Sequence, residues 1–112
     1  MRQTNQLVIK NGIVLLPRKV AENFDDQILY IFRNKPNGCV IAKESYYKKV
    51  KDQIEAFPIE TSRMLQRYMF GNGYITHAEN SSICIEDMLF KQKEIHAIGV
   101  CNDEHIDIEW HE

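Results

Sequence analysis

The sequence predicts an α+β fold in which short strands dominate and one pair of helices lies in the middle of the chain. Three observations support this class: two β-branched runs joined by Asn11-Gly12, two helical patterns separated by Pro58, and a strand-and-turn pattern that restarts after residue 73. At 112 residues and 44% hydrophobic content, the chain has room for one modest core. We therefore expect a single domain over 1–112, made of two pseudo-repeats at about 4–43 and 73–111 joined by a helical hairpin at about 44–71.

The first element is a predicted β-hairpin over residues 7–16. Its two β-branched runs flank Asn11-Gly12, the residue pair that best tolerates the positive φ angles of a type I′ turn. Pro17 cannot donate a ladder hydrogen bond, so it should end the second strand. Its fixed φ also suits the first turn of a helix, which we expect over 18–24.

A second hairpin should follow the turn at Asp25-Asp26. Residues 28–32 form an apolar run that predicts a buried strand, and 39–42 form its antiparallel partner. The intervening residues 34–38 contain Pro36 and predict a loop.

The middle of the chain predicts two amphipathic helices. The first covers 45–57 and the second 59–70, and Pro58 separates them. Gly71 and Gly73 should end the second helix. The apolar positions at helical spacing are Tyr47, Val50, Ile54 and Phe57 in the first helix and Met64, Leu65, Tyr68 and Met69 in the second.

The pattern of the first 43 residues then repeats. Strands are expected at 74–77, 82–85, 95–100 and 106–110, with turns at 79–81 and 102–104 and a short helix over 86–92. At an offset of about 69 residues, Asn11 aligns with Asn80 and Val14 with Ile83. A unit this short cannot bury both faces of its strands alone, so each copy needs its twin or another subunit.

Charge divides unevenly along the chain. Residues 1–57 contain 10 basic and 6 acidic residues, a net charge of +4, whereas the remainder contains 4 basic and 10 acidic residues, a net charge of −6. Such asymmetry is typical either of nucleic-acid contact at the basic end or of head-to-tail self-association. A chance distribution over a solvated surface is the remaining interpretation.

The sequence predicts a cytoplasmic location. No apolar run approaches the roughly 20 residues that a membrane-spanning helix requires, and the polar start lacks the pattern of a secretory signal. The three cysteines, Cys39, Cys84 and Cys101, are an odd number with apolar neighbours, which predicts buried free thiols. We expect no membrane association.

The elements follow one order, a strand hairpin with a short helix and a second hairpin, then a helical pair, then the same unit again. Within this order lie the local stretches 57–60, Arg63, 65–67 with Gly71, and 98–100 followed by 108–110. Together, these features resemble the MraZ family of bacterial transcriptional regulators. The resemblance covers nearly the whole chain in element order and about a third of it in residues. It implies a double swapped-hairpin, AbrB-like β-barrel with a central helical hairpin, a homo-oligomer formed through swapped hairpins, and DNA binding, which would place the protein at the nucleoid.

The family signature, Asp-x-x-x-Arg at the hairpin turn of each half, is absent here. Aligned positions hold Ile9 and Ile13 in the first half and about Ala78 and Ser82 in the second. The family's arginine belongs to the DNA-facing loop, where a planar five-donor group can bind a phosphate or a guanine edge. Neither isoleucine nor serine replaces that group.

Other residues of the first half remain candidates for contact with double-stranded DNA. They lie in or beside the first hairpin and are Arg2, Lys10, Asn11, Arg18 and Lys19. Cationic side chains of this kind neutralise phosphates, which gives affinity without sequence choice. The lysines between 43 and 51 are interpreted instead as the solvated face of their helix.

Two function classes follow from these observations. One is an MraZ/AbrB-like DNA-binding regulator acting as a homo-oligomer, and the alternative is a degenerate family member that has lost DNA binding and serves as a protein–protein interaction module. Cys101 and His105 do not have the spacing of a zinc site, and no glycine-rich phosphate loop is present. We expect no enzyme activity, no metal and no cofactor.

Overall fold

The structure, a computed structural model, describes residues 2–71, 73–85 and 94–110, and these residues form a closed antiparallel β-barrel of eight strands with three helices. The strands are β1 Gln3–Lys10, β2 Ile13–Leu15, β3 Ile28–Lys35, β4 Gly38–Lys43, β5 Tyr74–Glu79, β6 Ser82–Cys84, β7 Glu94–Cys101 and β8 His105–Trp110. The helices are α1 Arg18–Phe24, α2 Glu44–Glu55 and α3 Ile59–Phe70. The predicted α+β class and the barrel are confirmed.

The strand order exchanges hairpins between the two halves of the chain. Around the barrel the strands run β1-β2-β6-β5-β3-β4-β8-β7 and close on β1. Strand β1 pairs along its whole length with β7, from Gln3↔Cys101 to Lys10↔Glu94, and β5 pairs with β3. The first hairpin of each half is therefore bonded to the second hairpin of the other half.

The registers relate the halves by an approximate two-fold axis. Val14 of β2 pairs with Ile83 of β6, and these residues are 69 positions apart. On the other side of the barrel Val40 of β4 pairs with Asp107 of β8, 67 positions apart. Because each pair joins corresponding residues of the two halves in antiparallel strands, the axis passes through both pairs.

Both short turns of the exchanged hairpins have the type I′ conformation. Asn11 and Gly12 have φ angles of 52° and 75°, as the sequence predicts, and Asn80 and Ser81 have φ angles of 51° and 65°. The backbone N–H of Ile85 donates to the Gly12 carbonyl at 2.6 Å, and that of Leu16 donates to the Ser81 carbonyl at 2.8 Å. Each turn is thus held against the strand end of the other half.

Helix α1 closes one end of the barrel. It begins after Pro17, as predicted, and buries Val20, Ala21 and Phe24 among the inward-facing strand residues. Phe24 has no exposed surface. Complete burial of a side chain of this size contributes roughly 1.5–3 kcal/mol relative to exposure.

The α2–α3 hairpin covers the outer surface of β3 and β4. Phe32, Val40 and Ala42 point outward from the barrel yet are buried beneath aromatic side chains of the helices. The ring of Phe70 meets that of Phe32 edge-on at 5.2 Å, and Tyr47 lies at 6.1 Å. A second, smaller core therefore lies outside the barrel wall.

The predicted apolar stripe of α3 is partly wrong. Met64 is 62% exposed and Tyr68 is 43% exposed, whereas Ser62 is buried. The helix is rotated so that Met69 and the Phe70 ring reach the smaller core. As a result, the side of the helix that holds Met64 and Tyr68 faces solvent.

Two other predicted boundaries differ from the structure. Helix α2 runs from Glu44 to Glu55, so Phe57 lies outside it and is 50% exposed. Strand β3 continues to Lys35 through a bulge, which leaves only Pro36 and Asn37 for the expected loop over 34–38. The helix predicted over 86–92 lies outside the described residues.

Candidate nucleic-acid interface

The wall formed by β2, β6 and the adjacent ends of β1 and β5 contains the positions that align with the Asp-x-x-x-Arg pattern of the resemblance. Its outward side chains are those of Lys10, Ile13, Leu15, Glu79, Ser82 and Cys84, and we call this surface the β2–β6 wall. One row runs from Lys10 through Ile13 to Cys84, and the other from Glu79 through Ser82 to Leu15. The two rows contain corresponding residues of the two halves, in opposite directions.

The signature positions are divided between the two sides of this wall. Ile9 and Ala78, at the acidic positions of the signature, face the barrel core and are 1% and 0% exposed. Ile13, at a basic position, faces outward and is 42% exposed, and Ser82 is half-buried on the same surface. The surface where the resemblance places arginines therefore holds an isoleucine and a serine.

The wall is largely apolar around these two positions. Leu15 is 64% exposed, and Cys84 is exposed beside Ile13. The prediction of three buried thiols is thus wrong for Cys84. The alternation of β6 explains the error: Ile83 and Ile85 point into the core, which leaves Cys84 on the outer side.

The predicted DNA-contacting residues fall into two groups at opposite ends of β1. Lys10 and Asn11 lie at the first turn, and Arg2 precedes the other end of the strand. Lys19 lies at that second end, because it lines a cleft of about 170 Å³ together with Gln3. Seven strand steps of about 3.3 Å separate the two ends by roughly 23 Å.

All five of these side chains are exposed, but their ion pairing differs. Arg18 lies 3.9 Å from the Glu22 carboxylate, one helical turn away on α1. Within the part of the chain that the structure describes, Arg2, Lys10 and Lys19 form no ion pair. These three cations are available to a phosphate without first losing a carboxylate partner.

Two of the four lysines between residues 43 and 51 form ion pairs with acidic residues. Lys48 lies 3.2 Å from Glu44 on the same face of α2, and Lys49 lies 3.4 Å from Glu104 in the β7–β8 turn. The Nζ of Lys43 lies 5.1 Å from the centroid of the Phe24 ring. The helix lysines Lys48, Lys49 and Lys51 are exposed, as the sequence predicts.

A polar cluster that the sequence did not indicate joins α2 to the start of β8. The rings of Tyr46 and His105 are stacked with centroids 3.8 Å apart. Burial lowers the pKa of His105, against the opposing effects of Asp107 and Glu104, and burial together with Asp107 raises the pKa of Tyr46. The Tyr46 and His105 rings meet only because α2 packs beside β8, a strand that follows more than 50 residues later in the chain.

The two buried thiols are poor nucleophiles. Burial, reinforced by the Asp107 carboxylate, raises the pKa of Cys39 to about 12. Burial likewise raises the pKa of Cys101, although the Asn5 side-chain amide donates to its sulfur. The thiolate is the reactive form of cysteine, so both side chains act as apolar core residues at neutral pH.

Within residues 2–71, 73–85 and 94–110, no three His, Cys, Asp or Glu side chains are grouped to hold a metal ion. Of the helices in these same ranges, none has the length and apolar character needed to cross a bilayer.

Comparison with protein-family models and with curated protein sequences finds no match for this chain.

Proposed function

We propose that this protein is a DNA-binding transcriptional regulator of the MraZ/AbrB type that acts as a homo-oligomer in the cytoplasm. The observation that supports the proposal best is the exchange of hairpins between the halves of the barrel. This exchange corresponds to the double swapped-hairpin architecture that the resemblance implies. Two pseudo-repeats, at about 4–43 and 73–111, account for the matching registers of β2 with β6 and of β4 with β8.

The proposed mode of DNA binding is neutralisation of the phosphate backbone. Lys10 at one end of β1 and Arg2 and Lys19 at the other are exposed cations without ion-pair partners among the described residues. Their separation of roughly 23 Å along the strand lets two groups of phosphates be contacted at once. Base reading by the wall is not part of the proposal, because Ile13 and Ser82 lack the donors that arginine supplies.

The test is a titration of duplex DNA at several salt concentrations, followed by fluorescence anisotropy. We expect Lys10→Ala and Lys19→Ala each to weaken binding and to reduce the slope of log K against log salt by about 1, because each removes one phosphate contact. The matched control is Arg63→Ala, which removes an exposed cation on α3, away from β1. Its slope should equal that of the unmodified protein.

Two results would contradict the proposal. One is the absence of duplex binding at low salt, and the other is an equal loss in all three variants. Substitution of the DNA sequence should change the affinity little, since the contacts are to the backbone.

The apolar character of the β2–β6 wall favours a second candidate function. A surface that exposes Ile13, Leu15 and Cys84 suits a protein partner better than a polyanion, because exposed apolar patches mark interaction sites. The chain would then be a protein–protein interaction module that kept the fold and lost DNA binding. Light scattering at low and high salt tests it, and a monomer at both would exclude self-association.

A further inference from the structure

The β2–β6 wall has oppositely charged residues at corresponding positions of its two halves. Lys10 and Glu79 are 69 positions apart and end the two rows at opposite corners. Both side chains are exposed. Lys10 lies beside Glu94 in the β1–β7 register without forming an ion pair among the described residues, and Glu79 lies 3.6 Å from His77.

Apolar side chains occupy the area between these corners. Ile13 and Leu15 on β2 are 42% and 64% exposed, and Cys84 lies across from Ile13 on β6. Ser82 is the one uncharged polar residue of the wall. The surface thus has an apolar centre with one positive and one negative corner, which is the arrangement of a self-complementary interface.

We propose that a second copy of this chain docks face to face on the β2–β6 wall. A two-fold axis that lies in the plane of the wall, perpendicular to the diagonal from Lys10 to Glu79, brings each of these residues opposite the other residue of the second copy. Two equivalent ion pairs then flank one apolar contact. An interface of this kind is isologous and closes as a dimer.

The same axis determines what meets at the centre. With strands about 4.8 Å apart and residues about 3.3 Å apart along each strand, Leu15 and Cys84 lie within about 1–2 Å of the axis on either side of its midpoint. Each of them therefore faces its own counterpart in the second copy. Cross-linking of the two Cys84 thiols therefore tests this arrangement directly.

This inference rests on the interaction function proposed above and does not require DNA binding. Lys10 takes part in both proposed interactions, the phosphate contact and the ion pair with Glu79 of a second copy. A Lys10 side chain paired with Glu79 of a second copy is not available to a phosphate. Docking through the wall and DNA contact at the first turn should therefore compete.

Charge exchange tests the orientation. Sedimentation equilibrium at low salt should show a dimer that Lys10→Glu or Glu79→Lys weakens by about tenfold, because each change replaces two attractions with two repulsions. The double variant Lys10→Glu/Glu79→Lys should restore the dimer. The matched control, Arg63→Glu on α3, should leave it unchanged.

Chemical cross-linking tests whether the two Cys84 side chains meet at the centre of the interface. A short bis-maleimide should join two chains through Cys84 in the unmodified protein, while Cys39 and Cys101 are buried and unreactive. Cys84→Ser should abolish the linked dimer, and Leu15→Asp should reduce its yield by more than tenfold. Circular dichroism verifies that the Leu15→Asp barrel is folded.

Several outcomes would overturn the proposal. They are a monomer at all concentrations up to about 1 mM, a dimer that survives Leu15→Asp, and a charge-exchanged double variant that stays dissociated. A dimer sensitive only to changes at Met64 or Tyr68 would place the interface on α3. DNA titration of Leu15→Asp separates the two functions, since this variant loses docking and keeps Lys10.

Discussion

The outer surfaces of the two second hairpins occupy corresponding places in the barrel and have opposite character. On β3 and β4, Phe32 and Val40 are buried beneath the α2–α3 hairpin. On the outer faces of β7 and β8, Ile98 is 42% exposed and Asp107 accepts a hydrogen bond from the Asn34 side chain. Val40 and Asp107 are direct cross-strand partners, so the contrast occurs within one pair.

This contrast shows that the inner and outer faces of the barrel follow different rules. Inward positions are apolar in both halves, as Leu7 and Ile31 are, because the closed core admits nothing else. Among the described strands, outward apolar residues are buried where the α2–α3 hairpin covers them, whereas Leu15 and Ile98 on uncovered walls stay exposed. The exposure of an outward residue therefore depends on which neighbours its wall has.

The largest expected effect comes from truncating the covered wall. Phe32→Ala removes the ring that contacts Phe70 and Tyr47, and it should lower the free energy of unfolding by about 3–5 kcal/mol. Ile98→Ala on the uncovered outer face of β7 should change it by less than about 1 kcal/mol. Urea denaturation of both variants measures the difference, and equal losses would contradict the idea that helix coverage matters.

A smaller effect is expected from the two type I′ turns. Gly12→Ala places a side chain at a φ of 75° and should destabilise the barrel by about 1–2 kcal/mol. Ser81→Gly relieves the same strain at a φ of 65° and should stabilise the barrel by up to about 1 kcal/mol. Thermal unfolding of the two variants should move in opposite directions, and shifts of the same sign would show that the turns are not equivalent.

The smallest expected effect is a pH dependence of the unfolding free energy that arises where α2 contacts β8, at the stacked Tyr46 and His105 rings. Because the pKa of His105 is lowered in the fold, its neutral form is favoured there. The resulting stability is present above the unfolded pKa of about 6.5 and is lost as the pH falls through the lower, folded value. Unfolding free energies should therefore decline below pH 6.5 beyond the loss due to carboxylates.

The matched variant for this prediction is His105→Phe, which keeps a ring against Tyr46 and removes the titration. The difference in unfolding free energy between the variant and the unmodified protein should grow in favour of the variant between about pH 6.5 and 5. A difference that stays constant over this range would show that His105 does not sense pH.

Local chemistry made much of the fold predictable from sequence. Asn11-Gly12 specified a type I′ turn, Pro17 specified the start of α1, and Pro58 separated two helices whose contact the structure confirms. Each of these signals acts within a few residues of its own position. Strand boundaries were less accurate, because the β3 bulge before Lys35 depends on its pairing with β4.

Features that depend on distant partners could not be predicted from sequence. The rotation of α3 follows from where Phe70 meets Phe32, and the stacking of Tyr46 on His105 joins residues 59 positions apart. The exposure of Cys84 depends on which residues of the three-residue strand β6 face the core. For the candidate site, the sequence indicated the missing signature but not that Ile13 and Ser82 share one surface with Leu15.

The exchange of hairpins also determines the order in which the barrel can be completed. Strand β1 finds its longest partner in β7, where Lys10 pairs with Glu94, 84 positions later. During synthesis one edge of the first hairpin therefore stays unpaired until residues 94–101 have left the ribosome. Such long-range pairing slows folding and exposes the edge to other chains. Rapid translation of the second half should thus protect the protein from misassembly.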